Sequence, residues 1–170
     1  MEYLYAPWRS AYTGDVRSKE SNTTADSCVF CSKFGDGIDE QHFVLRRFKH
    51  TVVLLNLYPY NAGHLLIMPL EHCAALDDLD TQTQMEMMWL ASKSTRILQE
   101  VLGAEGINVG LNLGKAAGAG VPSHLHMHVL PRWVGDTNFL PLLAETKQIS
   151  FDLNEIYAKL KPAFDALEAV

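Results

Sequence analysis

Three of the seven histidines in this 170-residue chain stand at alternate positions, His124, His126 and His128, separated by apolar residues. In an extended strand alternate side chains share one face, so the three imidazoles would point one way and the apolar residues the other. Successive histidines would lie roughly 6.6 Å apart, at about 3.3 Å per residue. A single ion cannot easily reach all three imidazoles. The spacing therefore favours different roles for the three histidines, with the central one carrying out the chemistry.

A row of this kind suits the transfer of a phosphate-containing group. Neutral imidazole is a nucleophile near pH 7 and afterwards a workable leaving group. The central His126 is therefore expected to accept a phosphoryl or nucleotidyl group and to surrender it, while a neighbouring histidine protonates the departing phosphate. Arg132 lies beyond the strand and would pair either with phosphate or with an acidic neighbour. Three histidines without a function are a weaker explanation, because the alternation is strict.

The strands that would position this row are predicted from periodicity and turn residues. Runs that are rich in β-branched and aromatic residues, or that alternate in polarity, predict strands over 43–48, 51–56, 64–69, 107–113 and 124–130. The first two strands form a predicted hairpin, and Pro131 is expected to end the last one. The connection over 57–63 contains proline, asparagine and glycine, which favour a turn.

One long helix and a C-terminal helix complete the expected fold. Thr81 and Gln84 fit a capping box, and apolar positions then recur at helical spacing up to Gly103, which is placed to cap the end. A second helix is predicted over 152–169, with an interruption near Pro162. With mostly hairpin-like connections, this order of elements predicts an α+β domain with an antiparallel sheet of about five strands.

The composition narrows the class of protein. Apolar residues make up 48% of the chain, enough for one core, and the net charge of −6 disfavours nucleic acid as a partner. No apolar run approaches the length that spans a membrane, and the aromatic N-terminus is unlike a secretory signal. The three cysteines, an odd number, fit a reducing compartment, so a cytoplasmic location is expected.

The histidine row resembles the signature of the histidine triad (HIT) family, His-φ-His-φ-His-φ-φ with φ apolar, which 124–130 matches at every position. Residues 55–69 are similar to the family's nucleoside-binding strand pair. Residues 5–9 resemble the start of its bacterial members, and 28–31 their Cys-x-x-Cys. Residues 133–139 resemble the branch of the family that acts on dinucleoside polyphosphates. The resemblance therefore covers residues 1 to about 140.

This resemblance implies a reaction and an assembly. His126 would attack the α-phosphorus of a nucleotide and form a nucleotidyl-histidine, with His124 and His128 as the flanking members of the catalytic row. His128 would help or position the leaving phosphate, and His64 would lie at the phosphate site. The expected substrate is a dinucleoside polyphosphate such as diadenosine tetraphosphate, although diadenosine triphosphate and adenosine phosphoramidates also present an α-phosphate. The expected HIT-like fold forms a homodimer whose sheet continues across two subunits.

Nucleotide contacts are expected around the row. By resemblance, Asn56 would contact the ribose hydroxyls and Asn112 a phosphate oxygen. Related hydrolases often carry Ala-Gly-Gln followed by Ser or Thr shortly before the triad, but this chain has no glutamine there. Backbone or polar donors are expected to replace that glutamine's hydrogen bond, from Lys115, Gly118, Ala119, Gly120 or Ser123. Either water or phosphate would then complete the reaction, and phosphate would make the protein a phosphorylase.

Cys28 and Cys31 have the spacing of a zinc half-site, which needs two more ligands. His72 and His124 are the candidates, and the resemblance supports them, because several relatives use two cysteines and two histidines. Four protein ligands leave no open coordination position, so the expected zinc is structural. Two reduced cysteines in a core are the alternative, whereas a redox pair is disfavoured because no parallel βαβ order surrounds the motif.

Two other functions stay open at the level of sequence. A metal-dependent phosphate-ester hydrolase would use His124, His126 and another ligand to hold an ion that activates water. A non-catalytic nucleotide sensor would keep the fold and bind nucleotide without turnover. The expected organisation is an N-terminal arm over 1–27, a HIT nucleotide-binding catalytic domain over 28–140 and a C-terminal helical extension over 141–170.

Overall fold

The computed structural model describes residues 24–35, 37–139, 143 and 151–168. Its strands form a five-stranded sheet in the order β1-β2-β3-β5-β4, with every neighbouring pair antiparallel. The strands are β1 Val44–Arg47, β2 Thr51–Leu55, β3 Leu65–Pro69, β4 Gly106–Leu111 and β5 Met127–Arg132. The prediction of an α+β domain with an antiparallel sheet of about five strands is confirmed.

The described helices are α1 Val29–Gly35, α2 Thr81–Leu102 and α3 Leu153–Asp165, with single 3₁₀ turns at Ala25–Ser27 and Lys115–Ala117. The expected start of α2 is wrong by one residue, because Asp80 and not Thr81 is the N-cap. The Asp80 carboxylate accepts from the N–H of Thr83 at 2.7 Å, and the Gln84 side chain donates to carbonyl oxygens of the preceding loop. Gly103, with φ of 65°, ends the helix as predicted.

The sheet has an apolar core on each face. Helices α2 and α3 cover one face, where they pack on Leu65 and Ile67 of β3. On the other face Leu66 and Met68 of the same strand pack with Phe30 of α1. The alternation of a strand therefore sends its side chains into two separate layers.

The strand of the histidine row differs at both ends from the prediction. Strand β5 begins at Met127, so His124 and His126 lie in the extended segment before it. Continuing the β3 register would place Leu125 opposite Pro69, which has no N–H, and Leu125 instead donates to the Cys73 carbonyl at 2.6 Å.

Pro131 lies inside β5 and does not end it. Strand β3 pairs only with residues 127–129, so on that side the missing proline N–H interrupts no ladder. On the other side Pro131 is paired with Ile107 of β4. The antiparallel β4–β5 pairing therefore continues to Arg132.

The C-terminal helix is continuous through Pro162, so the predicted interruption is wrong. Pro162 stands in the last turns of α3, where it removes a single backbone hydrogen bond, and the flanking Leu160 and Phe164 are buried in the core. Arg46 of β1 donates to the carbonyls of Phe164 and Asp165 at 2.9 and 2.8 Å, which satisfies the helix end.

The expected N-terminal arm lies outside the described residues except for 24–27. The same holds for most of 140–150, at the start of the expected C-terminal extension. None of the described helices combines the length and the apolar composition that crossing a bilayer requires.

Candidate active site

The histidine row points towards one face of the sheet, as the alternation predicts. Leu125, Met127 and Val129 all join the core under α2 and α3. On the opposite side, the Phe30 ring of α1 contacts the ring of His126 with 5.5 Å between centroids. The row therefore lies between the sheet and the short helix that carries the two cysteines.

The central histidine is held as a neutral ring. His126 Nδ1 lies 2.8 Å from the backbone carbonyl oxygen of His124. Because a carbonyl only accepts, the ring proton must be on Nδ1, and Nε2 keeps its lone pair. Burial lowers the pKa of His126, which is 7% exposed, although the hydrogen bond to the His124 carbonyl acts in the opposite direction. A neutral imidazole with a free Nε2 lone pair is the form that attacks phosphorus.

A chain of hydrogen bonds sets the tautomers of two further histidines, His64 and His128. The N–H of Tyr60 donates to His64 Nδ1 at 3.1 Å, and the Asn56 amide lies 3.3 Å from the same nitrogen. The His64 proton must therefore be on Nε2, which lies 2.9 Å from His128 Nδ1 and donates to it. As a result His128 carries its own proton on Nε2.

The hydrogen-bonded pair of His64 and His128 lies directly beside His126. The rings of His126 and His128 are 5.1 Å apart between centroids, at an interplanar angle of 68°. Tyr60 stacks on His128 at 5.9 Å with only 18° between the ring planes. The row therefore offers a lone pair at its centre and an N–H donor at its C-terminal end.

Burial keeps His64 neutral. The residue is 1% exposed, and desolvation, reinforced by the neighbouring His128 and His126, lowers its pKa to about 3. In the unfolded chain the same side chain binds a proton from about pH 6.5 downward. Between these two values the unfolded state holds more protons than the folded state, so stability falls as the pH falls.

This difference predicts a pH-dependent stability. Between about pH 7 and about pH 5, His64 alone should lower the free energy of unfolding by about 2 kcal/mol. Urea unfolding of the wild type and of His64→Gln at both pH values measures the effect. The wild type should lose about that much more stability than the variant, and equal losses would contradict the prediction.

The two cysteines and two of the histidines form a possible metal-binding cluster. One ligand atom from each of Cys28, Cys31, His72 and His124 lies within 4.8 Å of the others. His124 Nδ1 is 3.5 Å from both sulfur atoms, and His72 Nδ1 is 3.3 Å from Cys31 Sγ. Tetrahedral zinc, with bonds of about 2.3 Å to sulfur and about 2.0 Å to nitrogen, needs sulfur–nitrogen separations of roughly 3.5 Å. The donor set and its spacing therefore fit zinc.

His124 is prepared as a ligand by its backbone contact. Its Nε2 lies 2.9 Å from the Pro69 carbonyl oxygen, which places the proton there and leaves the Nδ1 lone pair facing the sulfur atoms. Burial lowers its pKa to about 4, so the ring is neutral, as metal binding requires. Both ring nitrogens are thus engaged away from His126.

The geometry gives no support to a water-activating metal between His124 and His126. Among the residues whose placement is described, the one group of metal-binding side chains is the Cys–His cluster, and His126 is not part of it. His124 contributes its ring to that cluster and only its carbonyl to His126.

The expected phosphate loop precedes the row as a tight turn. Lys115 begins the turn and Gly118, with φ of 89°, ends it, while Ser123 lies further along, immediately before His124. The N–H groups of Gly118 and Ala119 donate within the loop, to the carbonyls of Lys115 and Gly114 at 3.0 and 3.3 Å. This leaves the Gly120 N–H as the backbone candidate for a phosphate contact. Asn112, at the exit of β4, is half-buried.

Two aromatic residues at the site were missed from the sequence. Phe30, between the two cysteines, contacts the rings of both His124 and His126. Tyr60 contributes a backbone N–H to His64 and a stacked ring to His128. The available signals were the position of Phe30 inside the Cys-x-x-Cys and that of Tyr60 shortly before the Gly-His pair.

Of the two partners expected for Arg132, phosphate or an acidic neighbour, the structure shows the acidic neighbour. Its guanidinium donates to the Asp136 carboxylate from Nε and Nη2 at 2.6 and 2.9 Å. Nη1 of the same guanidinium donates to Asn108 of β4 at 3.0 Å.

Comparison with known proteins agrees with this geometry. The HIT domain family model matches residues 39–134. The chain is 37% identical over 150 residues to the AP-4-A phosphorylase of Mycobacterium tuberculosis, covering 88% of this chain and 77% of that protein. It is 31% identical over 108 residues to the asymmetrical bis(5'-nucleosyl)-tetraphosphatase of Schizosaccharomyces pombe, covering 64% and 57%. A zinc-bound histidine triad family protein from Mycobacterium smegmatis superimposes with a TM-score of 0.68 at 29% identity, covering 84% and 96%. The chain therefore belongs to the histidine triad family of enzymes.

Proposed function

We propose that this protein is a dinucleoside polyphosphate phosphorylase that cleaves at the α-phosphate through a nucleotidyl-His126 intermediate. The observation that carries the proposal is the His126 ring, whose Nδ1 is bound to the His124 carbonyl so that Nε2 keeps its lone pair. The names of the M. tuberculosis and S. pombe relatives support a dinucleoside polyphosphate such as diadenosine tetraphosphate as the substrate.

The first step transfers a nucleotidyl group to the protein. His126 Nε2 attacks the α-phosphorus, a P–N bond forms, and the P–O bond to the rest of the polyphosphate breaks. The departing oxygen keeps the bonding electron pair and leaves as an anion. A neutral His128 has one ring proton, on Nε2, and it donates a hydrogen bond to that oxygen as charge develops. The His124 carbonyl stabilises the cationic ring that results at His126.

The second step returns the nucleotidyl group to a small acceptor. An oxygen of inorganic phosphate attacks the α-phosphorus, a P–O bond forms, and the electron pair of the breaking P–N bond returns to His126 Nε2. A phosphate dianion already carries a nucleophilic oxygen, whereas water must also lose a proton. The glutamine-free loop that includes Gly120 is the proposed entry for phosphate. The products from diadenosine tetraphosphate would be ATP and ADP.

Substrate contacts follow the same proposal. Asn56, whose side chain also accepts from the Tyr58 N–H at 3.0 Å, would face the ribose hydroxyls. The phosphate chain would be contacted by Asn112, the Gly120 N–H and the side chains of Lys115 and Ser123. The N–H groups of Gly118 and Ala119 already donate within the loop.

Zinc in the Cys–His cluster would complete the fold. Cys28, Cys31, His72 and His124 supply four ligands, so the metal would have no open position for substrate and would act structurally. It would tie α1 to the extended segment that carries His126. The zinc-bound relative from M. smegmatis supports the choice of metal.

Assembly is proposed to be a homodimer. Strand β4 is at the sheet edge, and its residues 108–110 are exposed, so a second copy could extend the sheet there. A cytoplasmic location stays a prediction, as does the division into an arm, a catalytic domain and a C-terminal extension.

Product analysis tests the acceptor. Purified protein incubated with diadenosine tetraphosphate should release ADP and ATP, and only when inorganic phosphate is present. AMP and ATP at equal rates with and without phosphate would instead identify water as the acceptor. Nucleotide binding without any turnover would indicate a sensor.

A further inference from the structure

A buried asparagine connects the loop that contains Tyr60 to strand β5 through hydrogen bonds. Asn61 is 6% exposed, and its Nδ2 donates to the Pro131 carbonyl at 3.0 Å and to Asp136 Oδ2 at 2.8 Å. The Asn61 carbonyl accepts from the N–H of His64 at 3.3 Å. Asn61 is thus bound both to the histidine that it precedes and to the far end of the catalytic strand.

The Asp136 end of this link is itself fixed by charge. Its side chain is 8% exposed and accepts from Arg132 at 2.6 and 2.9 Å and from the Trp133 N–H at 3.2 Å. Hydrogen bonds from Arg132 hold the pKa of the Asp136 carboxyl well below its usual range. The acceptor that faces Asn61 is therefore a firmly held carboxylate.

We infer that Asn61, anchored by Asp136, is a positioning residue that keeps the His128 ring proton on Nε2. The inference rests on the proposed function, in which that proton faces the departing oxygen. Asn61 stands next to Tyr60, whose backbone N–H holds the His64 tautomer. Loss of the Asn61 link frees this part of the loop to move away from His64.

Such a movement would reverse the tautomers of His64 and His128. Without the Tyr60 N–H opposite it, only the Asn56 amide, at 3.3 Å, still opposes a proton on His64 Nδ1. Where that nitrogen takes the proton, His64 Nε2 becomes an acceptor. His128 must in turn donate from Nδ1, which leaves a lone pair on Nε2. A lone pair in that place repels the anion that the N–H would stabilise, as a wrong histidine tautomer does in hydrolytic triads.

The test compares two leaving groups of nearly the same shape. The phenyl and 4-nitrophenyl esters of AMP share the α-phosphate, but the phenyl ester releases phenoxide, a strong base whose conjugate acid has a pKa of about 10. Its localised charge needs the His128 donor, whereas the nitro group spreads the charge of nitrophenolate. Single-turnover release of the aryl oxide isolates the first step.

Asn61→Leu keeps the approximate shape and removes both hydrogen bonds. We expect the rate with the phenyl ester to fall by about 10-fold or more, and with the nitrophenyl ester by less than about 3-fold. Asp136→Asn, which removes the anchoring charge, should shift the two rates in the same direction and serves if Asn61→Leu does not fold. Thr137→Ala is the matched control, because the exposed Thr137 donates to the other oxygen of the same carboxylate, Oδ1, at 3.3 Å, whereas Asn61 donates to Oδ2. It should change neither rate.

The outcomes separate this inference from the proposed function. His128→Ala should show the same preference for the better leaving group, more strongly. Equal losses with both esters in Asn61→Leu and Asp136→Asn, while His128→Ala keeps its preference, would overturn the inference alone. No preference in His128→Ala would overturn the proposed role of His128 and the inference with it.

Discussion

Replacing His126 with alanine should lower the rate of diadenosine tetraphosphate cleavage by at least about 10⁴-fold. The substitution removes the Nε2 lone pair, and His124 cannot substitute for it because both of its ring nitrogens face away from the site. Since His128 carries its proton on Nε2, it has no lone pair there to attack phosphorus. The loss should therefore appear in kcat rather than in KM.

A labelling experiment checks the role of His126 directly. Brief incubation of the wild type with substrate labelled at the α-phosphate, without inorganic phosphate, should leave nucleotide bound to the protein through an acid-labile P–N bond. His126→Ala should retain none, whereas His42→Ala, a histidine substitution outside the triad, should retain it. Bound nucleotide or turnover that survives His126→Ala would show that another group is the nucleophile.

The shared face of the histidine row could be predicted because strand alternation is a local property. Leu125 and Met127 pack into the core while the imidazoles point away, as the period of two requires. The strand limits could not be predicted in the same way. They depend on which neighbour supplies a hydrogen bond, and Pro69, distant in sequence, ends the pairing before Leu125.

The candidate zinc ligands could be predicted from the sequence, but the tautomers of the histidines could not. Cys-x-x-Cys is a local spacing, and the resemblance supplied the two histidines. In contrast, the proton positions on His64 and His126 are set by a loop N–H and by a carbonyl oxygen, which every residue carries. Residue type alone gives no indication of which backbone group faces a ring. The same limitation applies to Asn61, whose importance depends on a contact with Asp136.

Loss of the Cys–His cluster should destabilise the protein strongly. We expect Cys28→Ser to bind at least about 10-fold less zinc than the wild type and to lower the melting temperature by about 10 °C. Helix α1 has only seven residues, too few to be stable alone, so its position depends on the cluster and on Phe30. Metal analysis and thermal unfolding, with the wild type expected to hold one zinc per chain, measure both effects.

Cys73 provides the matched control for that experiment. It is next to His72 but outside the cluster, and its thiol donates to the Ala75 carbonyl at 3.0 Å, a bond that serine can also make. Cys73→Ser should therefore keep both zinc and most of the stability. Equal zinc loss in the two variants, or full zinc in Cys28→Ser, would contradict the assignment.

Removal of zinc should also lower activity, although the metal takes no direct part in the proposed reaction. Phe30 contacts the rings of both His124 and His126, so a displaced α1 removes a packing contact from the proposed nucleophile. At the same time a loosened His124 backbone weakens the carbonyl that holds the His126 Nδ1 proton. Chelation should therefore reduce kcat in parallel with the loss of α1 packing, and added zinc should restore it. A chelated protein that keeps full activity would show that the cluster and the nucleophile are independent.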